Sequence, residues 1–480
     1  MILSKLLENL NAENIYGELN LEIENIETDS RCITKNSLFI CLTGSDYDGH
    51  NFVRQAELYG AVALITEKKL NTSLTQVIVK DTRKAMSILA NNFYNRVVDK
   101  MTLIGVVGTN GKTTTAHLIG NILNGAGVKC GVIGTLGIFY GEKYFSANLT
   151  TPDPLVLHKI LFDMYASGYT TVVMEVSAHA LYYSKVFGMK FKVGVFTNFT
   201  RDHLDFFNDM ESYKKAKMQF FEQNYCDYLV VNSDDLLGQE ISNLDKKIIT
   251  YGIENPSDVF AIDIKEERDN QKFVINLFDQ VYTITMPLLG RFNLYNTLAS
   301  ATATALVGVE TSKIISKIKN FTGAKGRMQC VYNNGYSIYI DYAHTPDGLE
   351  KVLKALKPNA KRLICLFGCG GNRDKGKRKE MGTISAKYSD FTILTSDNPR
   401  FEEPMEIISD IEKGVLEVNK NYVIVERRAQ AIEYAISMAK VGDIILVAGK
   451  GSEEYQEVLG IKHPYNDKDT IEEIIRRNSN

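Results

Sequence analysis

The sequence predicts an α/β protein of three domains, on three observations. Its 480 residues exceed what one hydrophobic core normally serves. Short apolar runs alternate with helix-length segments along most of the chain, the pattern of helices packed on a mostly parallel sheet. One such run, residues 103–107, breaks into Gly108-Thr-Asn-Gly-Lys-Thr-Thr114 and then into a helical pattern. The domains are expected at 1–98, 99–326 and 327–480. They read as a small α/β unit, a central P-loop ATPase-like unit with a mostly parallel sheet, and a C-terminal Rossmann-like unit.

Composition narrows the classes of function. Hydrophobic residues make up 44% and charged residues 24%, with a net charge of −3, so the broad basic field of a general nucleic-acid binder is lacking. The seven cysteines are odd in number and scattered; Cys365 and Cys369 lack a second pair at zinc spacing, and reduced thiols are expected. The N-terminal stretch has neither a long apolar region nor a small-residue cleavage site. No apolar run approaches the roughly eighteen residues of a membrane helix. A cytoplasmic protein without membrane insertion is expected.

In the first domain the runs at 37–42, 61–65 and 76–79 read as strands. Glu27-Thr-Asp-Ser-Arg31 and Thr43-Gly-Ser-Asp-Tyr-Asp-Gly-His50 combine hydroxyls with turn formers, and ligand contact and plain turn chemistry are equally open. In the central domain strands are expected at 103–107, 170–175, 193–197, 228–232 and 248–251. Ligands of such a sheet bind beyond the carboxyl ends of its strands. Polar residues cluster there, in Thr150-Thr-Pro-Asp153, Glu175-Val-Ser-Ala-His179 and Thr197-Asn-Phe-Thr-Arg-Asp-His-Leu-Asp205. The third domain repeats the pattern with strands at 336–341, 363–367, 391–395, 422–425 and 443–448. Asp341-Tyr-Ala-His-Thr-Pro-Asp347, the loop 368–378, Ser396-Asp-Asn-Pro-Arg400 and Gly449-Lys-Gly-Ser-Glu-Glu454 follow these strands. No internal repeat or low-complexity linker is evident.

The glycine loop carries the clearest chemistry. Gly108, Thr109, Asn110 and Gly111 let successive backbone N–H groups turn inward, and the helix start adds its positive dipole end. Lys112 then suits the β/γ-phosphates and Thr113 the Mg²⁺ ion. Val106 stands where the longer phosphate-loop form has its first glycine, so this is the shorter G-x-x-G-K-T-T form, still a nucleoside triphosphate site. Glu175 ends an apolar strand and suits Mg²⁺. His203 reads equally as a metal ligand or a helix cap. Lys217, between 210 and 222 on a predicted helix with Lys214 and Lys215, reads by itself as a solvated lysine. The run 373–379 is short, lacks aromatics and is interrupted by Asp374, which disfavours a nucleic-acid patch. Arg373 and Arg400, on Gly/Pro/Asn-rich loops, suit bidentate grip of a carboxylate.

Taken in order, these loops resemble the Mur ligase family. The matching pieces are Thr28-Asp-Ser-Arg31, Gly108 to Thr114, Thr150-Thr-Pro-Asp153, Glu175-Val-Ser-Ala-His-Ala-Leu181 and Thr200-Arg-Asp-His-Leu-Asp205. They continue with Phe292-Asn293, Gly326-Arg-Met328, Asp341 to Asp347, Gly368-Cys-Gly-Gly371, Asp397-Asn-Pro-Arg400 and Ala448-Gly-Lys-Gly451. The resemblance covers nearly the whole chain. It implies a monomeric, ATP- and Mg²⁺-dependent amide ligase of peptidoglycan precursor synthesis. A substrate carboxylate would attack the γ-phosphate, and the amine of an amino acid would then displace phosphate from the acyl phosphate. By the same resemblance Thr114, Asn293, Arg327, Asp341 and His344 help the loop hold ATP. Thr113, Glu175 and His203 serve metal, and Lys217 matches the family's lysine that CO₂ converts to a carbamate.

The expected substrates are UDP-MurNAc-L-Ala-D-Glu and meso-diaminopimelate. The first is assigned to Ser30, Ser45, Asp46, Tyr47, Thr150, Thr151, Ser177, Tyr183 and Lys185. The last two stand where the family usually has Gln and Arg. The second is assigned to Arg373, Asp397, Asn398, Pro399, Arg400, Gly449 and Glu453, with Ser452 standing where the family commonly has His. Lysine-using members lack the arginine matched by Arg400, and a site built for the far carboxylate of diaminopimelate disfavours lysine. The alternatives are a lysine-adding or D-Ala-D-Ala-adding ligase, a folylpolyglutamate synthetase, or a P-loop switch that hydrolyses ATP without a muramyl substrate.

Overall fold

The computed structural model describes residues 1–44, 47–267 and 270–479, so Ser45 and Asp46 lie outside the described residues. Among the described residues the strands form sheets of five, eleven and six strands and one two-stranded hairpin. The protein is mixed α/β, as expected. Two compact units divide the chain: Met1–Gly105, Lys129–Gly194 and Gln219–Asp227 in the first, Val106–Val128, Val195–Met218 and Tyr228–Asn480 in the second.

The five-stranded sheet belongs to the first unit. Its order is Asn14–Tyr16, Thr75–Ile78, Ala61–Thr66, Ser37–Ile40, Asn25–Glu27, and only the first strand runs antiparallel to its neighbour. Alternation along the strands buries both faces. Leu38, Ile40, Ala63, Ile65 and Val77 meet Ala85, Met86 and Leu89 on one side, and Phe39, Cys41 and Leu64 face the other. The two outermost strands, three residues each, carry no apolar run and so give no signal in the sequence. Helix Thr82–Phe93 starts where the Asp81 carboxylate accepts from the Arg83 and Lys84 N–H groups. Elsewhere in this unit Thr171–Glu175 runs parallel to Cys130–Gly134, and Gly137–Tyr140 and Lys143–Phe145 continue antiparallel.

In the second unit Cys226–Asn232, Ile248–Gly252 and Val259–Glu266 pair in parallel, and Gln271–Leu277 and Gln280–Met286 close with antiparallel pairing. Those last strands bury alternate residues only, which is why they show no continuous apolar run. The six-stranded sheet runs Gln329–Asn334, Tyr336–Asp341, Asp443–Ala448, Arg362–Phe367, Phe391–Leu394, Tyr422–Ile424. All but the first strand are parallel. Leu363, Cys365, Phe367 and Leu446 pack under one helical layer and Ile364, Leu366, Ile445 and Val447 under the other. Four adjacent parallel strands therefore end on one edge, which sets the loops beginning at Asp341, Gly449, Gly368 and Thr395 side by side.

Candidate active site

Strand Thr102–Val107 leads into the glycine loop, and helix Lys112–Gly125 leaves it. Gly111 has φ +86, and a Cβ there would lie 2.4 Å from Asn296 Oδ1, so only glycine fits this helix start. The loop is tied down from several sides. Asn110 N–H donates to Asn198 Oδ1 (2.9 Å), the Thr197 hydroxyl donates to Asn110 O (2.7 Å), and Asn110 Nδ2 donates to Asp347 Oδ2 (2.8 Å). The Lys112 ammonium folds back on the carbonyls of Gly108 (2.9 Å) and Thr109 (2.8 Å). Thr113 and Thr114 are buried in the first helical turn. Arg327 Nη2 donates to Thr113 Oγ1 (3.1 Å) while its guanidinium lies 4.3 Å from the Tyr342 ring centre. Asp341 accepts from the Met328 and Ala343 N–H groups; burial raises its pKa, with Arg327 opposing. Asn293 is buried and donates to Leu289 O. His344 Nδ1 lies 2.7 Å from Tyr342 O.

Lys217 is not the solvated lysine its neighbours suggest. Helix Met210–Glu222 turns it inward, to 1% exposure, with its amine 4.6 Å from the Tyr213 ring centre. The Tyr213 hydroxyl in turn lies 3.2 Å from Thr109 Oγ1, which links this amine to the glycine loop. Burial, reinforced by Lys112, lowers the Lys217 pKa well below the ordinary 10.5, so a neutral amine is favoured. His203 stands first at helix Leu204–Phe207 with φ +56, but its side chain makes no cap bond. Its Nε2 is 3.4 Å from Asp202 Oδ2, and His344 Nε2 is 4.0 Å from the same oxygen.

In the first unit Glu175 is a buried carboxylate, 1% exposed, rather than a surface one. The Thr135 N–H and hydroxyl donate to it at 2.9 and 3.2 Å. Thr151 Oγ1 donates to Glu175 O (2.8 Å) and accepts from Ser177 N–H (3.1 Å), while Thr150 Oγ1 lies 3.0 Å from Thr135 Oγ1. These four expected residues, Thr150, Thr151, Glu175 and Ser177, form one polar cluster. Ser30 instead donates to Gln55 Oε1 (2.9 Å), and Tyr47 is exposed. Lys185 pairs with Asp153 Oδ1 at 2.8 Å.

At the strand edge of the six-stranded sheet, Asn398 Nδ2 donates to Glu453 Oε2 (2.9 Å). Lys450, wholly buried, donates to Asn398 Oδ1 (2.9 Å) and Glu453 Oε2 (2.8 Å). Gly449 has φ +109, and a Cβ there would meet Asp397 Oδ2 at 2.7 Å. Arg400 follows Pro399 with φ +52; its Nε donates to Glu457 Oε2 (3.1 Å) and its Nη1 to Gly371 O (2.8 Å). Arg373 is exposed, 3.6 Å from Asp205 Oδ2. In the basic run, Arg378 pairs with Glu402 and Asp410, Lys375 with Glu402 and Lys379 with Glu417, which neutralises much of it.

The sequence alone assigns no individual role to Tyr213, Asn296, Asp347, Lys450 or Glu457, although Asp347 and Lys450 lie within the family-matching pieces. Lys450, between two glycines at a strand end, and Tyr213, one helical turn before Lys217, were signalled by position.

The geometry thus gives a nucleotide-type glycine loop at a strand end in a mixed α/β protein, and comparison with known proteins places the chain. Family models described as Mur ligase family, catalytic domain, Mur ligase middle domain and Mur ligase, glutamate ligase domain match residues 22–94, 106–304 and 326–451. A UDP-N-acetylmuramoyl-L-alanyl-D-glutamate--2,6-diaminopimelate ligase of Clostridioides difficile (strain 630) is 42% identical over 485 residues, 99% of this chain and 100% of the relative. One of the same name from Aquifex aeolicus is 39% identical, covering 97% of this chain and 96% of its own. A solved structure of a ligase with that name superposes with TM-score 0.72 at 30% identity, over 100% and 99% of the two chains. A MurF ligase from Thermotoga maritima in complex with ADP shares the fold at TM-score 0.63 and 20% identity, over 94% and 97%. The chain belongs to the Mur ligase family.

Proposed function

We propose that this ligase joins meso-2,6-diaminopimelate to the D-Glu carboxylate of UDP-MurNAc-L-Ala-D-Glu, in the cytoplasm and as a monomer, with ATP converted to ADP and phosphate. Domain boundaries after residues 98 and 326 go with this reading. The observation that carries it is the Asn398–Arg400–Glu453 constellation. Diaminopimelate differs from lysine by a carboxylate at its far end, and Arg400 is an oriented guanidinium for it. Glu453 supplies the opposite charge for the accompanying ammonium, and Asn398, held by Lys450, orients Glu453. Asp397, Pro399 and Gly449 shape the loops, and Arg373 reaches the same mouth from the facing loop: a Cβ on Gly370 would lie 2.9 Å from Arg400 Nη1 and 3.7 Å from Arg373 Cγ.

ATP is assigned to the glycine loop. Gly108, Thr109, Asn110 and Gly111 offer backbone N–H groups, Lys112 exchanges its carbonyl contacts for phosphate oxygens, and Thr114 completes the helix start. Asn293, Arg327, Asp341 and His344 surround it, Arg327 bringing positive charge to Thr113. Among the described residues no three His, Cys, Asp or Glu side chains gather as a metal cage. A hydroxyl, a carboxylate and an imidazole, as at Thr113, Glu175 and His203, suit Mg²⁺, which keeps water and phosphate oxygens as further ligands. By the family resemblance Thr113, Glu175 and His203 are each assigned to this ion, which would neutralise charge on the transferring phosphate. A neutral amine is the form that adds CO₂, and burial favours that form at Lys217; the carbamate, formed with loss of one proton, would put a negative charge beside the loop. Thr150, Thr151, Ser177, Ser30 and Tyr47 are assigned to the nucleotide-sugar peptide, with Tyr183 and Lys185 at its edge.

The test is product formation followed by mass spectrometry with ATP, Mg²⁺, bicarbonate and both substrates. A product heavier by one diaminopimelate residue is expected, and the corresponding lysine adduct as the sole product would overturn the assignment.

A further inference from the structure

We infer that Arg83, with the Tyr183 ring beneath it, binds the diphosphate of the nucleotide sugar. This inference rests on the reading that places the nucleotide sugar at the Thr151–Ser177 cluster. A diphosphate asks for a cation with spare N–H donors. Lys185 does not offer one: its ammonium is 2.8 Å from Asp153 Oδ1 and 3.4 Å from Thr151 O, and its side chain is only 10% exposed.

Arg83 differs. Its guanidinium carbon lies 4.4 Å from the Tyr183 ring centre, and Nη2 donates to Thr43 O at 2.7 Å. Among the described residues it pairs with no carboxylate, whereas the adjacent Lys84 is 3.3 Å from Asp81 Oδ2. A backbone carbonyl and an aromatic face fix the plane of the guanidinium, and among the described residues no carboxylate compensates its charge. The placement is built into the fold. Helix Thr82–Phe93 docks on the segment after Tyr183 through Ser87 Oγ, which donates to Ser184 O at 2.7 Å. Tyr183 itself ends the helix Ala178–Tyr182 that Ser177 caps, one hydrogen bond from Thr151. Thr43 opens the loop that carries Tyr47. Arg83 therefore stands where three segments of the proposed site meet, on an element to which no role had been given.

The experiment is calorimetric titration of UDP-MurNAc-L-Ala-D-Glu into the full-length protein, its Arg83→Gln and Arg83→Lys variants, and Lys84→Gln as the charge control, at low and high salt. Arg83→Gln is expected to raise Kd about tenfold at low salt, the size of one lost charge-assisted contact. It should also flatten the salt dependence, with ATP affinity and melting temperature unchanged. Arg83→Lys should recover part of the loss, and Lys84→Gln should stay within about twofold. Equal affinity of Arg83→Gln and wild type, or an equal loss in Lys84→Gln, overturns the inference. Failure of the wild type to bind the nucleotide sugar overturns the underlying assignment instead.

Discussion

Replacing Arg400 by Met removes the guanidinium without shortening the side chain much, and its effect can be worked from the contacts. Nε is engaged by Glu457 and one Nη1 proton by Gly371 O, which leaves the outer Nη1 proton and Nη2 for an incoming carboxylate. Two charge-assisted hydrogen bonds at about 1.5–3 kcal/mol each set an upper range of about 3–6 kcal/mol. The side chain is 18% exposed and shares its charge with Glu457, so the low end, about 3 kcal/mol, applies. That is a loss of roughly a hundredfold in kcat/KM for diaminopimelate. Lysine has no far carboxylate, so its kcat/KM should not fall. Steady-state ADP release at saturating ATP and nucleotide substrate, with each amino acid varied, reads both numbers. Equal losses for the two amino acids, or a loss below about threefold for diaminopimelate, would refute the role given to Arg400.

Other substitutions probe different parts of the molecule. Lys217→Met should abolish turnover and remove a carbamate resonance that ¹³C-bicarbonate gives in the wild type; a resonance that survives the substitution would place the modification elsewhere. Lys450→Met should raise KM for diaminopimelate while leaving KM for ATP unchanged, since it frees Asn398 and Glu453 from a shared anchor; a rise in both would mean a general packing defect. His158 is a buried imidazole whose two nitrogens find no hydrogen-bond partner among the described residues, and burial lowers its pKa from 6.5 to about 4. Unfolding exposes it to protonation, so its contribution is complete above pH 6.5 and falls away as pH drops toward 4, by about 3 kcal/mol in all. Denaturant titrations should show that slope flattened in His158→Leu, and an unchanged slope would contradict it. Asp467→Ala strands Arg428, both groups being wholly buried, and should cost about 3–5 kcal/mol. The paired change Arg428→Met/Asp467→Leu should cost much less, and equal costs would refute the stranded-charge reasoning.

Much of this was legible because buried parallel strands leave continuous apolar runs. Tyr336–Asp341 and Asp443–Ala448 stand where the runs place them, and Glu175 ends its strand as expected. The glycine loop was legible too, since Gly111 answers to a backbone demand that the residue type itself announces. What was hidden depends on which way a side chain turns. Lys217 sits among lysines on a helix, and only packing against Tyr213 shows that it is buried. Lys185 keeps a positive charge in the sequence, but Asp153 engages it. Half-exposed strands such as Gln280–Met286 escape a reading based on continuous apolar runs, because they alternate apolar with polar residues.

The most direct test of the central claim is phosphate release by the purified protein with ATP, Mg²⁺, bicarbonate and UDP-MurNAc-L-Ala-D-Glu, in parallel reactions with meso-diaminopimelate, L-lysine or no amino acid. Turnover that requires diaminopimelate is the predicted result. Turnover with lysine instead would contradict the specificity assigned to Arg400, and release that ignores both substrates would contradict the ligase.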